Sequence, residues 1–183
     1  MKPMVFLALL VCCLHSTESA ALTIEEAYAA IPHQRTVFDR SASRLSKAQV
    51  EGLLQLFALT DRGTVLRVEA MRAFRGGQLH DFRAALDRYS TLIAALRSLN
   101  LPGELMPAHE LIVQSVQGHQ RFFEASLKAS DSLARRDLGF TTEVHESSRK
   151  LRQAYDLLMK MYSNEPGVNK SAFFDYLCAL DFL

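Results

Sequence analysis

Between Pro107 and Leu133, Ile112, Ser115, His119, Phe122, Ser126, Ala129 and Leu133 recur at alternating steps of three and four. That spacing puts all seven on one face of an α-helix. A second row of Leu111, Val116, Phe123, Leu127 and Ala134 widens the face. A helix with so broad an apolar stripe has to be covered by more than one neighbour. The rest of the chain is therefore expected to pack around this segment as further helices.

The neighbours are legible. Ser46 and Gln49 have the spacing of a capping box, and Val50, Leu53, Phe57, Thr60 and Thr64 follow at steps of three and four. The step then slips to Val68, Met71 and Phe74, with Thr60-Asp61-Arg62-Gly63 at the slip, a stutter that alters helix winding. This predicts a continuous, imperfect helix from about Lys47 to Arg75, stopped by Gly76-Gly77. Leu79, Phe82, Leu86, Tyr89, Ile93 and Leu96 form a second seam without a slip, ended by Asn100-Leu101-Pro102-Gly103. The Pro107 helix runs from about Glu104 or Pro107 to Arg136, with Gly139 closing it. A fourth helix starts at Thr141 or Thr142, carries Val144, Ser148, Leu151, Tyr155, Leu158 and Met161 or Tyr162 inward, and stops at Asn164-Glu165-Pro166-Gly167. Thr23 with Glu26 caps a short N-terminal helix that Pro32 ends, and His33 to Arg44 is an ordered arm that Val37 and Phe38 could pin. A short C-terminal helix from Asn169 or Ser171 is expected to bury Phe173, Phe174, Leu177 and Leu180 against the bundle, with Phe174 at the edge of that face and Asp175 and Asp181 away from its centre.

No segment alternates apolar and polar residues as a strand does. The expected fold is all-α: an up-down-up-down four-helix bundle, flanked by a short N-terminal helix and arm and a short C-terminal apolar helix. Architecturally this is similar to periplasmic four-helix proteins, the cytochrome-c-prime-like ones included. The haem-attachment motif Cys-x-x-Cys-His is absent, so the likeness carries no residue across.

Residues 1–21 are set apart. Lys2, the apolar run Val5 to Leu14 and the small residues that end in Ala20-Ala21 have the order of a secretory signal peptide. Cleavage is expected near Ala21, leaving 22–183 as a single helical domain, periplasmic or extracellular. The apolar run is too short for a permanent membrane helix, which needs ~20 residues, and the mature chain has no transmembrane segment. Two of the three cysteines leave with the leader, so Cys178 has no partner within the mature chain; its apolar neighbours point to burial. A net charge of +1 gives no electrostatic reason to expect nucleic acid as a partner.

Chemistry-bearing residues are sparse. His119 stands on an inner row beside Phe122 and Phe123, and with His109 and Glu110 it is the candidate for a metal, haem or small ligand. His109 and His119 are ten residues apart, too far along a helix to share one ion unaided. The plainer reading of His119 is a core histidine satisfied by one hydrogen bond. The polar loop Pro32-His33-Gln34-Arg35-Thr36 and the run from Phe173 and Phe174 onward are candidate docking surfaces, with His33, Arg35, Phe173 and Phe174 as the contact residues. No nucleophile elbow, phosphate loop or His-Glu-x-x-His is present. Asn169-Lys170-Ser171 matches a glycosylation sequon. No resident cofactor is expected. The expectation is a non-catalytic exported protein that binds another exported protein, the alternative being a ligand-, haem- or metal-binding bundle built on His119.

Overall fold

The computed structural model describes residues 22–128 and 142–181. Six α-helices follow in order: α1 (Ile24–Ala29), α2 (Lys47–Arg75), α3 (Leu79–Arg97), α4 (Met106–Lys128), α5 (Thr142–Met161) and α6 (Gly167–Asp181), with a 3₁₀ turn at Gly103–Leu105. There is no strand among the described residues, and no described helix is long and apolar enough to cross a membrane. The signal-peptide reading, Ala129, Leu133, Ala134, Gly139 and the Thr141 cap lie outside the described residues.

The predicted caps form. Thr23 and Glu26 close a capping box on α1, and Ser46 and Gln49 do the same on α2. At the far end of α2 the Gly77 amide donates to the Phe74 carbonyl and the Gln78 amide to Ala73. That reversal needs a left-handed residue, which Gly77 supplies at φ +69°. The slip at Thr60–Gly63 leaves α2 unbroken. Two boundaries and one row move. The last helix begins at Gly167, not Asn169, because the Pro166 carbonyl accepts from both Asn169 and Lys170. Leu79 sits half out in solvent at the start of α3. On α5 the fully covered positions beside Val144, Leu151 and Leu158 are Ser147 and Ala154, not Ser148 and Tyr155, which are half-buried.

Two helices share the centre, α2 and the Pro107 segment, α4. α2 packs against α1, α3, α4 and α6, while α4 pairs chiefly with α5 and α3. The buried residues of α2, among them Leu53, Leu56, Phe57, Val65, Leu66 and Ala70, cover most of its circumference and leave one stripe, Glu51, Gln55, Ala58, Arg62 and Arg72, in solvent. A helix with so wide a buried face needs covering on several sides. α6 provides one of those covers, packing on both α2 and α5. Phe57 of α2 stacks on Tyr176 of α6 with ring centroids 4.4 Å apart, and Phe38 and Tyr162 close around Phe173.

Glycines set the closest approaches. A β-carbon at Gly52 would meet the Pro102 ring at 2.9 Å, and one at Gly63 would meet Leu180 at 2.8 Å. On α4 a β-carbon at Gly118 would overlap the Ser147 hydroxyl, which is held in place by donating to the Glu143 carbonyl. Gly118→Ala is therefore expected to lower stability by about 1–2 kcal/mol, overpacking outweighing the ~1 kcal/mol helix-propensity gain of alanine. In a Ser147→Ala background the same change should become neutral or stabilising. Urea denaturation of the four proteins in the cycle measures this, and an unchanged sign would refute the close-crossing account.

Candidate functional site

Two polar constellations stand out, one on the seam between the arm and the helices and one inside the core.

The arm, residues 33–44, has no helical ladder, so its amides need acceptors from elsewhere. Side chains of the α5–α6 turn and of α6 provide them. Asp175 accepts from the Thr36 amide at 3.0 Å, Asn169 from Asp39 at 2.7 Å, and Glu165 from Arg44 at 2.7 Å. Asn169 returns two hydrogen bonds, to the Asp39 carbonyl (3.1 Å) and to Glu165 (2.7 Å). Asn169 is completely buried, so in the folded protein the sequon amide is occupied by this network. Asp175, expected off the α6 face, is covered by the arm itself.

The arm also reaches α2. Arg35 donates to both oxygens of Asp61, at 2.6 Å and 3.4 Å, and the Tyr28 hydroxyl donates to the same carboxylate at 2.9 Å. The Arg35 guanidinium lies over the Tyr28 and Tyr176 rings, 5.8 Å and 5.6 Å from their centroids. Its hydrogen bond to Asp61 raises the Arg35 pKa, while burial, then Asp61, push the Tyr28 hydroxyl up. Asp61 is 2% exposed; a carboxylate so far from water needs this complete set of partners. His33 sits 3.2 Å from Asp175, an ion pair when protonated, though its Nε2–H is not well aimed for a hydrogen bond. The His33 ring tilts onto Phe174 at 5.8 Å.

Inside the core, α2, α3, α4 and α6 meet around Arg67, Tyr89 and His119. Arg67 is 3% exposed and donates to the Leu180 carbonyl. Burial lowers its pKa to about 10, against which Tyr89, Asp181 and Cys178 act as stabilising neighbours. Burial pushes the Tyr89 hydroxyl up. His119 is driven down to about 3 by burial first and by Arg67 second, so it is a neutral imidazole. Neither of its ring nitrogens has a hydrogen-bond partner among the described residues, and the same holds for the Tyr89 and Ser115 hydroxyls. The one-hydrogen-bond reading of a core histidine describes His109 instead, whose Nε2 lies 2.8 Å from the Leu96 carbonyl at the end of α3.

The ligand trio is not brought together. His109 and His119 are separately buried, and Glu110 is exposed, accepting from Gln114. Among the described residues no group of three or more His, Cys, Asp or Glu is placed to hold a metal. Of the docking residues, His33 and Arg35 are half-buried in the arm's own attachments and Phe173 is fully covered by Phe38, Phe57 and Tyr162. Phe174 does not bury as expected and stays open at 46% exposure, because it lies at the edge of the α6 face that Phe173, Leu177 and Leu180 turn inward. Asp61, Arg67 and Asp175 were missed as key residues; the slip in the α2 seam, at Thr60–Gly63, was the signal that pointed at the first. Cys178 is half-buried, and burial raises its thiol pKa. The chain matches no known protein family, curated protein or solved structure.

Arg35→Ala should cost about 2 kcal/mol, less than the ~3–5 kcal/mol of a fully dry pair because Arg35 keeps part of its surface in water. Pairing it with Asp61→Asn should recover part of that loss, and strictly additive costs in thermal melts would contradict the Arg35–Asp61 account. His119 generates a pH prediction. In the unfolded chain it takes up a proton below about pH 6.5, and in the folded protein only near pH 3. The unfolded state thus binds more protons in between, and stability falls with acidification by roughly 1.4 kcal/mol per pH unit from this residue. His119→Gln should flatten the acid limb of the stability curve between pH 6 and 4; an identical limb in both proteins would refute the assignment.

Proposed function

We propose that the protein is an exported helical domain that acts by binding another protein and not by catalysis. Its scaffold we read as an up-down-up-down arrangement of α2 to α5, supported by the pairing of α2 with α3, α3 with α4 and α4 with α5. The observation that carries the binding reading is the seam between arm and α6. Val37 (61% exposed) and Phe174 (46% exposed) are two of the large apolar side chains left open there. Both sit on backbone that is firmly held. Val37 lies between the Thr36–Asp175 hydrogen bond and the buried Phe38 ring, and Phe174 packs against His33 and Tyr155. A rigidly presented aromatic flanked by His33 and Tyr155 suits a protein partner, since little ordering entropy is lost on docking.

Export is supported by the first described residue. The Leu22 nitrogen donates to Glu69 at 2.9 Å, and Glu69 is held from the other side by Arg88 at 2.6 Å. Cleavage after Ala21 would turn that amide into an ammonium group already seated on a carboxylate, a stronger, charge-assisted contact. A second reading, a small-ligand, haem or metal site at His119, rests on its unpartnered ring nitrogens; metal and chromophore analysis of untagged protein tests it.

Two measurements test the proposal. Fractionation and mass spectrometry should find the chain in the exported fraction and beginning at Leu22; a chain kept in the cell with an intact Met1 terminus would refute export. A photo-crosslinking residue at position 174 should yield a discrete adduct with a second polypeptide in that fraction, absent when the residue is placed at the exposed Arg97. A strictly monomeric protein with no adduct at position 174 would refute the docking role.

A further inference from the structure

Ala30, Ile31, Val68 and Met71 line a surface cavity of about 270 Å³ together with Arg67, Arg72 and Arg75. Its walls come from the turn that follows α1 and from the C-terminal half of α2. Val68, Met71, Arg72 and Arg75 recur at steps of three, one and three, so they form one strip of the helix surface. Every charge in this lining is positive, and no carboxylate contributes to it among the described residues.

The three arginines are not equivalent. Arg67 closes the inner end, where its guanidinium is buried and donates to the Leu180 carbonyl. Arg72 and Arg75 are exposed in the last turn of α2. Their place next to the negative end of the helix accounts for part of their presence. It does not account for the apolar half of the lining. Ile31, Val68 and Met71 are each less than a tenth exposed, so the cavity has a dry floor beneath a cationic rim. Glu26 lies within electrostatic reach of Arg72 but is not part of the lining.

We propose that this cavity is a binding site for a small anionic amphiphile, a medium-chain carboxylate with its head on Arg72 and Arg75 and its tail against Ile31, Val68 and Met71. The guanidinium fork matches a carboxylate in two parallel hydrogen bonds. An apolar tail gains from leaving water on a floor of aliphatic side chains. Neither Val37 nor Phe174 is part of this lining, so binding here does not depend on the partner reading.

The test uses the mature protein, residues 22–183, and octanoate below its micellar concentration. Calorimetric titration should show saturable binding, weakened at least tenfold in Arg72→Gln/Arg75→Gln. Both substituted residues are exposed, so that variant is expected to keep its fold, which circular dichroism checks. Acetate, which lacks the tail, and octanamide, which lacks the charge, should each bind at least tenfold more weakly than octanoate. Independently of any variant, octanoate should shift the NMR methyl signals of Ile31, Val68 and Met71 in the wild-type protein. The proposal is overturned if octanoate does not saturate, if the double variant binds it equally well, or if acetate binds as tightly. It is also overturned if the methyl signals stay in place, or if arginine-dependent binding is seen only on phosphatidylglycerol vesicles. That last result would make the patch a membrane contact.

Discussion

An irregular arm of backbone has to find hydrogen-bond acceptors, and in this protein the C-terminal helix and the turn before it supply them. Residues 33–44 are covered on one side and lack a helical ladder, so each buried amide left without an acceptor would cost about 1–3 kcal/mol. Glu165, Asn169 and Asp175 meet that need with three bonds to arm amides, while Phe38 anchors the same stretch among Phe57 and Phe173. The polar groups fix where the arm lies, and the ring holds it down. Without α6 both the arm and one flank of α2 would be open, which explains why a helix as short as α6 is buried on nearly every side.

The same logic extends to the charges inside. α2 carries Asp61 and Arg67 into the core. A buried charge is tolerated when its surroundings replace the water it has lost. Asp61 is surrounded by Arg35 and Tyr28, groups from outside α2 that must be in place first. Arg67 points the other way, to the Leu180 carbonyl and towards Tyr89 and His119. The imidazole stays neutral there because burial and a nearby cation both disfavour a second positive charge. α2 is therefore fixed in rotation as well as in position, since turning it would strand one charge or the other.

Much of this was legible in the residues. Capping boxes at Thr23 and Ser46, the glycine stop at Gly77 and the inward rows of α2 and α3 rest on local backbone chemistry, which a sequence displays directly. The helical class and most boundaries follow from these. The number of neighbours α2 gathers does not. A regular seam like that of α4 signals one buried face, whereas α2 is buried on all but one stripe and so has a blurred seam. Its Thr60–Gly63 slip looked like an imperfection and is the place where Asp61 turns outward from the seam to meet the arm. Likewise Val144, Leu151 and Leu158 of the α5 row are buried as expected but Ser147 takes the place of Ser148, where Gly118 lets it approach, a matter of the partner helix and not of α5 itself. His119 was recognisable as an inward histidine, but the absence of nearby ligands and the proximity of Arg67 are tertiary facts.

The fastenings of the arm join residues 139, 130 and 121 positions apart. These are among the longest loops the chain can close, and loop closure has to precede the contacts that reward it. During synthesis the helices α2 to α5 can meet their neighbours as they appear, but the arm, one of the earliest segments made, has to wait for the last. Until residues 165–175 emerge, Phe38 and the arm amides remain without their final partners. The domain is thus completed by its C-terminal segment, and a chain interrupted before that point would carry an unfastened, sticky strap at its front end.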